Sequence, residues 1–192
     1  VALNDDATLI PDTGNYFTAE VGTAFPEDLT SIPSPWTPIG HTSLEDVLGF
    51  ESEGGDSTVI ATLQNKTLRT KRTPRTDSMN VTLQQFDREA LKLYFGSNAV
   101  DVEDGKLIGV PQNPTPTTVA FLAVFYDGEN AFAVYAPKAE IFRAEDIDIT
   151  DTETLANLPL KVTPLITAGN EWAYAVTPMG ALVEEDDDPE EP

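Results

Sequence analysis

Apolar and polar residues alternate with a period of two along most of this chain, and the breaks in that rhythm mark its turns. Met79, Val81 and Leu83 alternate with Asn80, Thr82 and Gln84, which predicts a half-buried strand. Val59, Ala61 and Leu63 alternate with Thr58, Ile60 and Thr62, a second and more apolar strand. Upstream, Leu44, Asp46, Leu48 and Phe50 fall on one face, and Glu45, Val47, Glu51 and Glu53 on the other. Gly54-Gly55 then reads as a turn closing a hairpin over residues 44–64. Thr118–Tyr126 is almost entirely apolar, as expected of a strand covered on both faces. A turn at Asp127–Asn130 leads into Ala131–Ala136, and Pro137 is expected to break the pairing before Lys138–Thr150. There Ile141, Ile147 and Ile149 oppose Glu140, Asp146 and Asp148, an amphipathic strand with an anionic face. Leu158, Leu160 and Val162 predict another strand. Gly169-Asn170 turns the chain into Glu171–Thr177, where Trp172, Tyr174 and Val176 alternate with alanines.

One segment breaks the two-residue rhythm. Asp87 is placed as an N-cap, Phe86 and Leu91 as a hydrophobic staple, and Gly96 as a C-terminal stop, so a helix of about two turns is expected near 87–96. So short a helix must dock on a sheet, through Ala90, Leu91, Tyr94 and Phe95. Residues 1–40 hold Pro11, Pro26, Pro33, Pro35 and Pro38 and read as an N-terminal arm carrying a first strand near Tyr16–Phe25. Trp36, stiffened by Pro35 and Pro38, is suited to plug a groove in its own domain or in a partner's. Residues 41–182 form the β-domain, and 183–192, with seven carboxylates, an acidic tail. The fold class expected is mainly β, a sandwich or barrel with one flanking helix and extended arms.

Charge sharpens this outline. The 192 residues carry a formal net charge of −22, yet five of the eleven Lys and Arg fall between 66 and 75. Lys66, Arg69, Lys71, Arg72 and Arg75, with Pro74 near the tip, make a basic excursion on an acidic body. Two readings fit it: contact with the acidic body of a neighbouring copy, or a solvated hairpin that keeps an edge from aggregating. Net acidity argues against a grip on nucleic acid, because affinity for phosphates comes from cations that displace counterions.

Catalytic chemistry finds little support. There is no cysteine and one histidine, His41, whose surroundings (PIGHTS) match no nucleophile elbow. Metal sites of His and Cys need more ligands than the chain owns, and Asp101–Lys106 departs from the calcium-loop spacing, so it reads as a plain turn. With 33 acids, carboxylate pairs at any separation arise by chance. No cofactor and no enzymatic activity are expected. No apolar run approaches the roughly 18 residues of a membrane helix, and the N-terminus lacks the basic start of a signal peptide.

Three segments together resemble the major tail (tail-tube) proteins of long, flexible-tailed phages of actinobacteria: IPSPWTPIGHTS (32–43), LEDVLGFESEGG (44–55), and the run from Arg69 to Gly96. The resemblance covers roughly residues 14–180. It implies the fold shared with type VI secretion tube proteins, six copies in a ring, and rings stacked into a hollow tube assembled in the bacterial cytoplasm and carried in the virion. It implies as partners the chain itself, a tape-measure protein and DNA transiently in the lumen, and terminator and distal tail proteins at the ends. On this reading Glu45, Glu51, Glu53, Glu140, Asp146 and Asp148 are candidate lumen acids. Lys66, Arg69, Lys71, Arg72, Pro74, Arg75 and Trp36 are candidate contacts between subunits or rings. The acidic tail matches nothing in the family pattern. The alternative is another virion β-sandwich module, a head-decoration or adhesin-like protein.

Overall fold

The computed structural model describes residues 3–4, 7–147, 149 and 152–181. Asp148 and the acidic tail lie outside these residues. In chain order the elements are β1 (Thr13–Ala19), β2 (Thr37–Pro38), β3 (Gly49–Gly54), β4 (Ser57–Ile60), β5 (Arg69–Arg72) and β6 (Arg75–Leu83). The helix α1 (Arg88–Phe95), the one α-helix among the described residues, follows. Then come β7 (Val100–Val102), β8 (Leu107–Gly109), β9 (Thr117–Asp127), β10 (Asn130–Arg143), β11 (Leu158–Pro164), β12 (Ala175–Val176) and β13 (Gly180–Ala181). The protein is mainly β: among the described residues a nine-stranded antiparallel sheet runs in the order β2-β1-β9-β10-β11-β6-β3, with β12 and β13 on β10, and β4–β5 and β7–β8 are separate two-stranded pairs.

Period-two patterning explains the core. On β9, Phe121, Ala123 and Phe125 face one apolar cluster, and Ala120, Leu122 and Val124 face another. The larger cluster also takes Tyr16 from β1 and Met79, Val81 and Leu83 from β6. Because β1 and β6 lie four places apart in the sheet order, the sheet must curl round to bring them together. The helix closes this cluster with Ala90 and Tyr94 buried and Leu91 and Phe95 packed beside them. Asp87 accepts from the Ala90 amide, and the Gly96 amide donates to Lys92, so both helix ends fall where the caps place them.

Pro137 does not end its strand. β10 runs on to Arg143, and the register with β9 shifts between Ala136 and Ala139. A bulge absorbs the missing proline N–H and bends the strand. Before the bulge β10 pairs with β12 and β13, and after it with β11, so one long strand serves two parts of the sheet. The amphipathic strand expected up to Thr150 therefore stops at Arg143. The first strand ends at Ala19, earlier than expected, and is an interior member of the sheet. Residues 20–36 return across the second cluster and bury Leu29 and Trp36 there.

Candidate functional site

The hairpin expected over 44–64 is a different one. β3 pairs with β6, from Gly49 opposite Asn80 to Gly54 opposite Arg75, and the twenty residues between the two strands leave the sheet as a ribbon of β4 and β5. Gly54 and Gly55, at φ 82° and 76°, bend the chain out. The Gly55 amide donates to Pro74 O at 3.3 Å and the Thr73 amide to Asp56 O at 3.0 Å, which ties the two legs of this elbow. Every residue of the ribbon is exposed, including Val59, Ile60, Leu63 and Leu68. A two-stranded ribbon packed on nothing is marginal in water.

Directly opposite residues share a face, so Arg69 and Lys71 stand with Ile60 and Thr58, and Arg72 stands with Ser57. Among the described residues, Lys66, Arg69, Lys71 and Arg72 make no ion pair. Arg75 differs: its Nε lies 2.8 Å from Asp77 Oδ1 in its own strand. Pro74 supplies the elbow carbonyl. Trp36 is spent on its own subunit, 7% exposed, with its ring against Tyr135 and its Nε1 donating to Ala24 O.

Three of the acids picked from the sequence share one face of the sheet. Register places Glu51 and Glu53 of β3, Asn80 of β6, Lys161 of β11 and Glu140 of β10 on the side away from the core. Lys161 Nζ sits 3.2 Å from Glu51 and 3.7 Å from Glu53, reaching across β6 to the edge strand. Hydrogen bonds from Lys161 and Asn80 hold the Glu51 carboxyl below its ordinary range. The Ser52 hydroxyl and Arg75 do the same for Asp77. Glu45 and Asp146 are not on strands. They lie in loops at the end of this face, beside Asp46 and Glu145.

Both lowered carboxyls brace β3, which fixes the sign of a pH effect. A group whose folded pKa lies below its unfolded value stabilises above the unfolded value and loses that contribution as pH falls through the folded one. Hydrogen-exchange protection of Gly49–Gly54 is thus expected to drop, relative to β9, as pH falls below about 4. Equal change in both strands would overturn this.

His41 is exposed, its backbone amide donating to Gln85 Oε1. Among the described residues no cluster of His, Asp and Glu has a metal-binding arrangement, and no helix is long and apolar enough to cross a membrane.

The chain matches the phage tail tube protein family over residues 1–179. It is 37% identical to the major tail protein Gp23 of Mycobacterium phage D29, over 86% of this chain and 88% of the relative. It is 34% identical to Gp23 of Mycobacterium phage L5 over the same shares. The chain belongs to the phage tail tube protein family. It is a structural component of the virion tail, and its work is self-assembly rather than catalysis.

For a tail tube protein the candidate site is a set of surfaces rather than a pocket, and the sequence singles out only some of their residues. The cations of the ribbon were legible as a cluster. The exposed Val59 and Leu63 were missed as surface, because with Ala61 they alternate as a core strand would. Lys161 and Asn80 were missed because strand pairing, not sequence distance, sets them beside Glu51. Asp46 and Glu145 carried a usable signal, the doublets Glu45-Asp46 and Glu145-Asp146.

Proposed function

We propose that this tail tube protein closes into six-membered rings that stack into a hollow tube, with the Glu51, Glu53 and Glu140 face turned toward the lumen. The observation that carries the assembly reading is the ribbon: cationic, fully exposed, dotted with apolar side chains and unpaired on an acidic body. Such a ribbon gains stability only when something covers it, and an acidic copy of the same chain is the complementary cover. The open edge at β3, wholly exposed, suits strand addition between neighbours in a ring. An acidic wall gives DNA nothing to adhere to, and screening over about 8 Å confines the repulsion to the wall. A tape-measure protein and then DNA occupy the lumen transiently, and terminator and distal tail proteins cap the ends.

Negative-stain microscopy of the purified chain tests this. Tubes or six-fold rings support it, and compact monomers under assembly conditions refute it. Replacing Arg69, Lys71 and Arg72 by Glu is expected to leave a folded monomer that no longer polymerises, read by sedimentation. Normal tubes from that variant would remove the ribbon from the assembly contact. Neutralising Glu51, Glu53 and Glu140 to Gln is expected to leave tubes intact and slow genome ejection from particles that carry them. Unchanged ejection would show that this face does not line the passage.

A further inference from the structure

The ribbon leaves one end of the β3–β6 pair, and the opposite end of that pair carries a cleft. β6 runs from Arg75 at the ribbon elbow to Leu83, a span of roughly 26 Å at about 3.3 Å per residue. At the Leu83 end, the Ser43 amide donates to Thr82 O at 2.8 Å, and Pro159 stands opposite Thr82. Two loops rise there, one bearing Glu45 and Asp46, the other Glu145 and Asp146, with Asn80 and Thr82 between them.

Both walls are held from the core. Tyr16, buried, donates its hydroxyl to Val47 O on the first wall. Tyr94, buried, donates to Glu145 O at 2.7 Å on the second. The Ser43 hydroxyl accepts from the Glu45 and Asp46 amides at 3.2 and 3.3 Å, fixing those two residues on their loop. Among the described residues none of the four carboxylates makes an ion pair. Arg143, which ends β10 beside them, lies over the Phe142 ring instead. Asn80 Oδ1 is buried and accepts no hydrogen bond among the described residues. The cleft thus offers carboxylates with no Lys or Arg in its lining, and Ile149 and Leu155 at its margin are exposed.

We propose that this cleft is the seat for the cationic ribbon of a second copy. Among the described residues, cations without ion pairs project from one end of the subunit, and carboxylates without ion pairs line the cleft at the other. Lys66, Arg69, Lys71 and Arg72 supply the missing charge, and Ile60, Leu63 and Leu68 meet the apolar margin. Two different patches at opposite ends make a heterologous, head-to-tail contact, and a repeat of it that does not close into a ring builds along an axis. The proposal rests on the ribbon being an assembly element and names what receives it.

The test uses the full chain. Asp46→Lys with Glu145→Lys, one reversal per wall, is expected to fold and to raise the critical concentration for tube formation by at least about tenfold. Arg69→Glu with Lys71→Glu should do the same, and the four changes in one chain should restore tubes. In an equimolar mixture of the two double variants every joint between unlike copies is charge-complementary, one as in the parent and one reversed, so the mixture should polymerise where neither variant alone does. Tubes at the parent concentration from the cleft variant, or no recovery in the combined chain, overturns the proposal. If the ribbon variant itself forms tubes, the assembly reading fails rather than this one. Should the cleft variant not fold, carbodiimide cross-linking of unaltered tubes decides. Lys66 or Lys71 joined to Glu45, Asp46, Glu145 or Asp146 of another copy supports the seat, and cross-links from those lysines to other carboxylates alone refute it.

Discussion

Alanine at Gly54 is expected to leave the subunit folded and unable to form tubes. Gly54 sits at φ 82°, and a Cβ there would lie 2.2 Å from the Pro74 carbonyl oxygen. That atom is backbone and already accepts from the Gly55 amide, so it cannot swing aside as a side chain would. The elbow must open, and the ribbon is then aimed elsewhere. Folding survives because β3, β4 and β5 are exposed throughout and contribute nothing to either apolar cluster. Gly55 is the control. It shares the positive φ, but its added Cβ meets only Arg75 Cβ at 3.9 Å. Gly55→Ala carries the left-handed cost alone, about 1–2 kcal/mol. We expect Gly54→Ala to melt within several degrees of the parent and to yield no tubes by sedimentation, and Gly55→Ala to yield tubes. Normal tubes from Gly54→Ala would show that the angle of the ribbon is not what assembly requires.

Local signals in the sequence reported local structure faithfully. Asp87 and Gly96 bracket the helix because capping is settled within a few residues. The apolar run of β9 is covered on both faces because a strand without polar positions has no side to give to water. The main misreading concerns what a strand pairs with. Alternation says which residues share a face and is silent on the neighbour. Gly54-Gly55 therefore looked like the turn between β3 and β4, whereas the true partner of β3 is β6, beyond the ribbon. Pro137 looked like a terminator because its missing N–H does break a ladder, yet one bulge lets β10 continue. The cations could be grouped on sequence alone, since five lie within ten residues. Their receiver could not, because Asp46 and Glu145 are ninety-nine positions apart and meet only when β6 and β11 pair.

Trp36 separates a core role from a contact role, and its replacement has the largest expected cost to the isolated subunit. A proline-stiffened tryptophan fits either use, and the sequence leaves both open. In the folded chain the indole packs with Leu29, Leu122 and Val124 in the second cluster, edge-on to Tyr135 at 6.2 Å. Trp36→Ala empties that site, and truncating a buried aromatic typically costs about 3–5 kcal/mol. At roughly 2–4 °C per kcal/mol for a chain of this size, the melting temperature should fall by roughly 10 °C. Below the new transition the cluster holding Tyr16, Phe121 and the helix is intact, so the folded fraction keeps its ribbon and its cleft and should still polymerise. A contact residue would give the reverse result, with melting unchanged and tubes lost. Thermal melting of the dilute subunit, followed by sedimentation of the same variant at low temperature, distinguishes the two. An unshifted melt would place the indole outside the core and return residues 20–36 to the role of an arm.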